Sequence, residues 1–189
     1  MNPNCGHLIC QELYEKSPSV VTNCTVCAIM SYQDGEHQFP VMLVIKEKQR
    51  RRQDEGKWGI PSETGESQDC VNGHFCWLRC AARCLLEECK LTSDQFDFLD
   101  LYATQAKTPL IYVLLKPGTS RALIRERIRS DNQNPFLPHC FKEVSDVEFI
   151  RPDHYSAEGY LLIMTEYLRQ TLNREQTKQV FEMIAINPN

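Results

Sequence analysis

Between His74 and Lys90 the chain reads "HFCWLRCAARCLLEECK", and this stretch restricts the fold more than any other. Phe75, Leu78, Ala82, Leu85, Leu86 and Cys89 recur at spacings of three and four, the pattern of a helix with one buried stripe. Such a stripe needs a second layer to cover it, and the flanking sequence offers strands for that purpose. The same helix carries adjacent acids, Glu87 and Glu88. Cys84 lies four and three residues before them and shares their face. Cys76, Cys80 and Cys84 repeat every fourth residue, which predicts small thiols packed against a sheet.

Strand signals surround the helix. "SVVTNCTVCAIMSY" and "FPVMLVIKEK" flank "QDGEHQ", where Asp34-Gly35 marks a hairpin. A basic loop, "QRRRQDEGK", leads to "WGIP", an extended segment ended by Pro61. "SETGESQDCVNG" is loop by composition. Beyond the helix come two strands, "FDFLDLYAT" and "PLIYVLLKPG", and a capped basic helix, "TSRALIRERIRS". "CFKEVSDVEFIRP" is a last strand. A short helix over about 8–16 and two helices within 153–189 complete the pattern. Strands and helices mix without regular alternation, so the expected class is α+β with a mixed, mostly antiparallel sheet. The 189 residues predict one domain, with 1–19 as an N-terminal extension and 153–189 as C-terminal helices.

Bulk properties narrow the function classes. Composition is 42% hydrophobic and 24% charged, which predicts a folded chain. A net charge of −4 gives no bulk reason to expect nucleic-acid binding. No run of about 18 apolar residues is present, so no transmembrane helix is expected. "MNPNCGHLICQELYEK" lacks a basic region followed by an apolar one, so no cleavable signal peptide is expected. Ten cysteines are too few for a disulfide scaffold. Reduced thiols in the cytoplasm or another reducing compartment are the expectation. Zinc is a weak reading of Cys5, His7, Cys10, Cys24 and Cys27, because a strand through "NCTVC" turns Cys24 and Cys27 to opposite faces.

The order of these features resembles the Nudix hydrolase family, whose box is usually written G-x5-E-x7-R-E-U-x-E-E-x-G-U, with U aliphatic. Arg83, Leu85, Leu86, Glu87, Glu88 and Leu91 match its second half. "WGIP" resembles the segment that leads into the box, and "ETGES" puts Glu66 at the box's first glutamate. "EVSDVEFI" resembles a later family strand, with Phe149 at its usual Trp. The collinear matches span roughly residues 20–170 and imply a Nudix-like α/β/α sandwich. The chain also departs from the pattern. Ser62 and Glu63 replace a Gly-Gly, and about nine residues within "QDCVNGHFC" are inserted. Cys84 replaces the first glutamate of R-E-U-x-E-E, and Lys90 replaces the box glycine.

The resemblance implies a metal-dependent pyrophosphatase cleaving a diphosphate linkage in a nucleoside-diphosphate-type small molecule. It implies Mg²⁺ or Mn²⁺ held by Glu87, Glu88 and Glu66. Magnesium takes hard oxygen ligands, which adjacent carboxylates supply in register. A soft thiol at Cys84 replaces a carboxylate poorly, and beside two acids its pKa should rise. Glu63, Glu66, Asp69 or Glu143 could compensate, with Glu143 the expected general base and Glu66 assisting. Arg83 is expected to pair with Glu87 at i+4. Arg50, Arg51 and Arg52 are candidate substrate-phosphate contacts, although a solvated loop is the commoner explanation of such a run. Arg121, Arg125 and Arg129 form a basic stripe, either solvated or touching polyphosphate or RNA. Two alternatives stand beside the leading reading. One is a weak or inactive nucleotide- or protein-binding module on the same fold. The other is a pyrophosphohydrolase acting on an RNA cap or 5'-phosphate. A homodimer is compatible with the resemblance; a membrane partner is not expected.

Overall fold

The computed structural model describes residues 23–34, 37–48, 58–103 and 109–150. The expected helix at 8–16, the basic loop with Arg50, Arg51 and Arg52, and the helices within 153–189 lie outside the described residues. Strands β1 (Asn23–Asp34) and β2 (His37–Glu47) form the expected antiparallel hairpin, paired up to Asp34 and His37. Two short strands follow, β3 (Trp58–Gly59) and β4 (Ser62–Thr64). A 3-10 turn (Ser67–Asp69) leads to the two-residue strands β5 (Cys70–Val71) and β6 (His74–Phe75). Helix α1 (Trp77–Cys89) precedes β7 (Phe96–Ala103) and β8 (Pro109–Leu115). Helix α2 (Arg121–Gln133), a 3-10 turn (His139–Lys142) and β9 (Val144–Ile150) complete the described chain. The class is α+β with a mixed sheet. β1 and β8 run parallel and every other pairing is antiparallel.

The sheet has seven strands, with β9 on the far side of β2 and β7 beyond β8. β3 pairs with β2 at Ile45 and Lys46, whereas β4 pairs with β1 at Asn23 to Thr25. Segment 58–64 therefore fills the gap where β1 and β2 part. The Val26 amide donates to the Pro61 carbonyl at 2.8 Å and locks it there. This wedge carries the acidic loop that follows onto α1.

Alternation along the strands divides the core. Cys24, Val26 and Ala28 of β1, Leu43 and Ile45 of β2, and Ile111, Val113 and Leu115 of β8 join one buried cluster with α1. Cys27, Ile29, Met42 and Val44 point the other way and are also buried. Cys24 and Cys27 thus take opposite faces, as strand geometry requires. Ile124 and Ile128 of α2 join the α1 side of the core. The Ser120 side chain caps α2 by accepting from the Leu123 amide.

Two local expectations are corrected. The helix starts at Trp77, not near His74, because Asn72 and Gly73 both take positive φ and turn β5 into β6. Phe75 belongs to that hairpin and meets Trp77 edge-on at 5.3 Å. The stretch read as loop from Ser62 to Gly73 holds two short strands, β4 and β5; strands of two or three residues leave no hydrophobic period to read. No helix among the described residues is long and apolar enough to cross a membrane.

Candidate functional site

Helix α1 buries its thiols against the sheet and turns Arg83 toward the loop that β3 and β4 deliver. The loop is rigid by its own hydrogen bonds. Asp69 closes a turn on Glu66: its Oδ2 accepts from the Glu66 amide at 2.8 Å, and its own amide donates to the Glu66 carbonyl at 3.0 Å. The Asp69 carbonyl also accepts from the Cys76 amide just before α1.

Arg83 gathers the acids of both elements. Its Nη2 lies 2.9 Å from Asp69 Oδ2, and its Nη1 lies 3.2 Å from Glu87, 3.5 Å from Glu66 and 3.6 Å from Glu63. Nη2 also donates to the Thr64 carbonyl at 2.6 Å. The expected Arg83–Glu87 pair is present, yet Asp69, only 2% exposed, is the tighter partner. Burial works against the Arg83 charge, but hydrogen bonding and attraction to Asp69, then Glu63 and Glu87, outweigh it and raise its pKa. Burial raises the Glu87 pKa. Arg83 opposes that rise, and repulsion from Glu63 and Glu66 adds to it.

Glu88 faces elsewhere. Its Oε2 accepts from the Ser62 amide at 3.1 Å and lies 3.6 Å from Cys84 Sγ. Cys84 is fully buried, and burial first, then Glu88, holds its pKa well above the ordinary thiol value. It therefore stays a thiol at neutral pH and donates rather than accepts a proton. Glu143 sits at the end of the 3-10 turn, with Oε1 3.1 Å from His139 Nδ1. Between it and α1 lies Cys140, whose thiol is pushed up by burial and by the charges of Glu87 and Glu143. That turn packs on α1, so Glu143 and Glu87 border the same region.

Two arrangements escaped the sequence reading. Lys90, at the box-glycine position, adopts the left-handed conformation with φ of 60° at the end of α1. Its buried Nζ donates to the carbonyls of Glu87 at 2.6 Å and Phe141 at 2.5 Å and pairs with Asp131 at 3.1 Å. A lysine in place of the usual capping glycine is the available sequence signal. The second is the basic helix α2. Arg121 pairs with Glu148 at 2.5 Å and Arg125 with Asp146 at 2.5 Å, so acids of β9 neutralise two of the three stripe arginines.

The donor chemistry suits a hard divalent cation: Glu63, Glu66 and Glu87 offer carboxylate oxygens around one guanidinium. Among the described residues these side chains are turned to Arg83 rather than converged on one another as a ligand cage. Glu66 is the most exposed of them, with 55% of its side chain open to solvent, and its Oε2 accepts from Gln68 Nε2 at 2.7 Å. A groove of about 410 Å³ runs beside the cluster, lined by Gln68, Asp69, Arg79, Arg83, Leu86 and Thr92 among others.

No family model matches the chain, and no curated protein matches it. Solved structures similar to it include Nudix proteins. A mutT/nudix family protein from Listeria innocua shares 13% identity, with 87% of each chain covered and a TM-score of 0.40. Ap4A hydrolase from C. elegans shares 15% identity over 80% of this chain and 95% of that one, with a TM-score of 0.43. The NUDIX domain of Shewanella oneidensis NrtR, solved with ADP ribose, shares 13% identity over 88% and 87%, with a TM-score of 0.39. Likeness at this level assigns neither substrate nor residue roles.

Proposed function

We propose that the chain is a Nudix-type pyrophosphohydrolase that cleaves a diphosphate linkage in a nucleoside-diphosphate-type small molecule. The observation that carries this reading is the Arg83 cluster, where one guanidinium faces Glu63, Glu66, Asp69 and Glu87. Four carboxylates against one cation leave excess negative charge, which favours a divalent ion. Glu87 and Glu66, with Glu63 beside them and Glu88 turned in from the Ser62 amide, would hold Mg²⁺ or Mn²⁺, which would supply charge neutralisation at the diphosphate oxygens. Arg83 fixes the Glu87 carboxylate and the acidic loop. Glu143, anchored by His139, is the proposed proton acceptor, and Glu66 assists. Arg50, Arg51 and Arg52 are the proposed phosphate contacts. The compartment is proposed to be cytoplasmic or otherwise reducing, and a homodimer is compatible with the reading.

The second reading is a nucleotide- or protein-binding module with weak catalysis or none. Cys84 favours it: a fully buried, protonated thiol replaces an acid beside Glu88. The RNA reading loses support from the Arg121–Glu148 and Arg125–Asp146 pairs, which occupy charge that phosphates need.

Phosphate or nucleotide release from a panel of nucleoside diphosphate derivatives, with Mg²⁺ or Mn²⁺, tests the proposal. Turnover of at least one substrate is expected, with a loss of about 100-fold or more in Glu87→Gln and Glu88→Gln. Metal-dependent nucleotide binding without turnover supports the second reading. Turnover confined to capped or triphosphorylated RNA supports the third.

A further inference from the structure

On the sheet side of α1 the thiols meet across two elements. Cys24 of β1 and Cys80 of α1 are both fully buried, and the Cys24 thiol donates to the Cys80 sulfur at 3.2 Å. Arg83 Nη2 approaches the same sulfur at 4.0 Å. Cys80 thus receives two donors, one of them cationic, whereas Cys24 is a donor that keeps its proton. The hydrogen bond to Cys80, then burial, then Cys84, holds the Cys24 pKa well above the ordinary value. The two sulfurs belong to residues 56 apart, so a bond between them would tie the acid-bearing helix to the central strand.

We propose that Cys24 and Cys80 are a disulfide-forming pair, closed by a peroxide-class oxidant. The Cys80 sulfur attacks one peroxide oxygen as its proton leaves, the O–O bond breaks, and the departing hydroxide takes up that proton as water. Cys80 is then a sulfenic acid. The Cys24 sulfur attacks the Cys80 sulfur, the S–O bond breaks, and the Cys24 proton leaves with that hydroxide as a second water. Two thiols are oxidised and one peroxide is reduced to two waters. Burial makes the first step slow, because the oxidant must reach the pair through local opening. Contact makes the second step fast, because the resolving thiol is already in place. Bond formation brings the sulfurs to about 2.0 Å. It also converts the sulfur that Arg83 Nη2 approaches from a thiol to a disulfide, so the oxidised state bears on the acid cluster. The inference is independent of the proposed reaction.

The test uses the full chain and no activity measurement. The protein is exposed to hydrogen peroxide, remaining thiols are blocked with a maleimide under denaturing conditions, and the chain is cut with trypsin without reduction. Cleavage after Arg79 and Arg83 separates Cys80 from Cys76 and Cys84. The expected product is the Cys80 peptide joined to the peptide holding Cys24, two hydrogens lighter than their sum, with fragmentation assigning the link to Cys24 rather than Cys27. Cys80 and Cys24 should lose maleimide labelling in step. In Cys24→Ala, Cys80 should stop at a sulfenic acid that dimedone traps. If that variant does not fold, the link and the paired loss of labelling in the unmodified chain still decide the matter. Full labelling of Cys24 and Cys80 after the half-buried Cys70 and Cys140 have oxidised would overturn the proposal. So would linkage of Cys80 to Cys76 or Cys84 in comparable yield.

Discussion

Helix α1 carries two cations that solvent barely reaches, Arg83 at its middle and Lys90 at its C-terminal end, and the two are used differently. Arg83 spreads a planar fork over four carboxylates and one carbonyl. Lys90 presents a compact ammonium to two carbonyls and one carboxylate. Around Lys90 the charges balance, one against Asp131, and the contacts join α1, α2 and the 139–142 turn. Around Arg83 they do not balance, and negative charge remains. A balanced cation holds elements together. An outnumbered one also holds them together, but leaves a field that attracts a further cation. The same helix therefore carries a structural clamp at its C-terminal end and the candidate chemistry about two turns earlier.

Removing each cation separates these roles. Arg83→Leu should be the more damaging change, because it strands Asp69 as a buried carboxylate without its partner. A loss of about 3–5 kcal/mol is expected, read from urea denaturation midpoints at constant slope. A loss below about 1 kcal/mol would mean that Asp69 is satisfied by its turn alone. Lys90→Met should cost less, about 1–3 kcal/mol, since Asp131 is a quarter exposed and can hydrate. Lys90→Gly loses the same contacts but relieves the left-handed backbone. It should therefore be about 1 kcal/mol more stable than Lys90→Ala. Equal stability of the glycine and alanine variants would show that φ contributes nothing at this position.

The clamp and the hub were unequally legible in the sequence. Helix α1, the β1–β2 hairpin and the α+β class follow from periodicity and turn chemistry, which act over many residues at once, but Leu86, read into the buried stripe, is 39% exposed and lines the groove beside Arg83. Arg83 with Glu87 follows from i, i+4 spacing. Asp69 does not, because its approach to Arg83 depends on the Asn72-Gly73 hairpin and on the wedge of 58–64 between β1 and β2. Lys90 was legible only as a missing glycine. Its reach to Phe141 and Asp131 is a tertiary fact with no local signature. The basic stripe of α2 was left open for a related reason: one helix shows three arginines, and the acidic partners of Arg121 and Arg125 lie on β9, some twenty residues away or more. Phe149 and the strand around it were read correctly as β9, but its start was placed at Cys140. The 3-10 turn over His139–Lys142 delays it to Val144.

The smallest effect is the most informative about the excess charge. Glu87 has a raised pKa in the folded chain, through burial first and through Glu63 and Glu66. A folded acid with a raised pKa binds more protons than the unfolded chain above the ordinary glutamate value of 4.5. Its contribution to stability is therefore complete below that value and is lost as pH rises through the folded pKa. Glu87→Gln removes the titration. Relative to this variant, the unmodified chain should lose stability as pH rises from the acid range to neutrality, by about 1 kcal/mol or less after solvent screening. A divalent cation acts in the opposite direction, because it favours the ionised carboxylate. At neutral pH, millimolar Mg²⁺ or Mn²⁺ should raise the melting temperature of the unmodified chain and leave Glu87→Gln nearly unmoved. An equal rise in both would place the cation away from the Arg83 cluster. A pH dependence unchanged by the substitution would mean that Arg83 already neutralises Glu87 fully, which would make the Arg83 and Lys90 clusters alike.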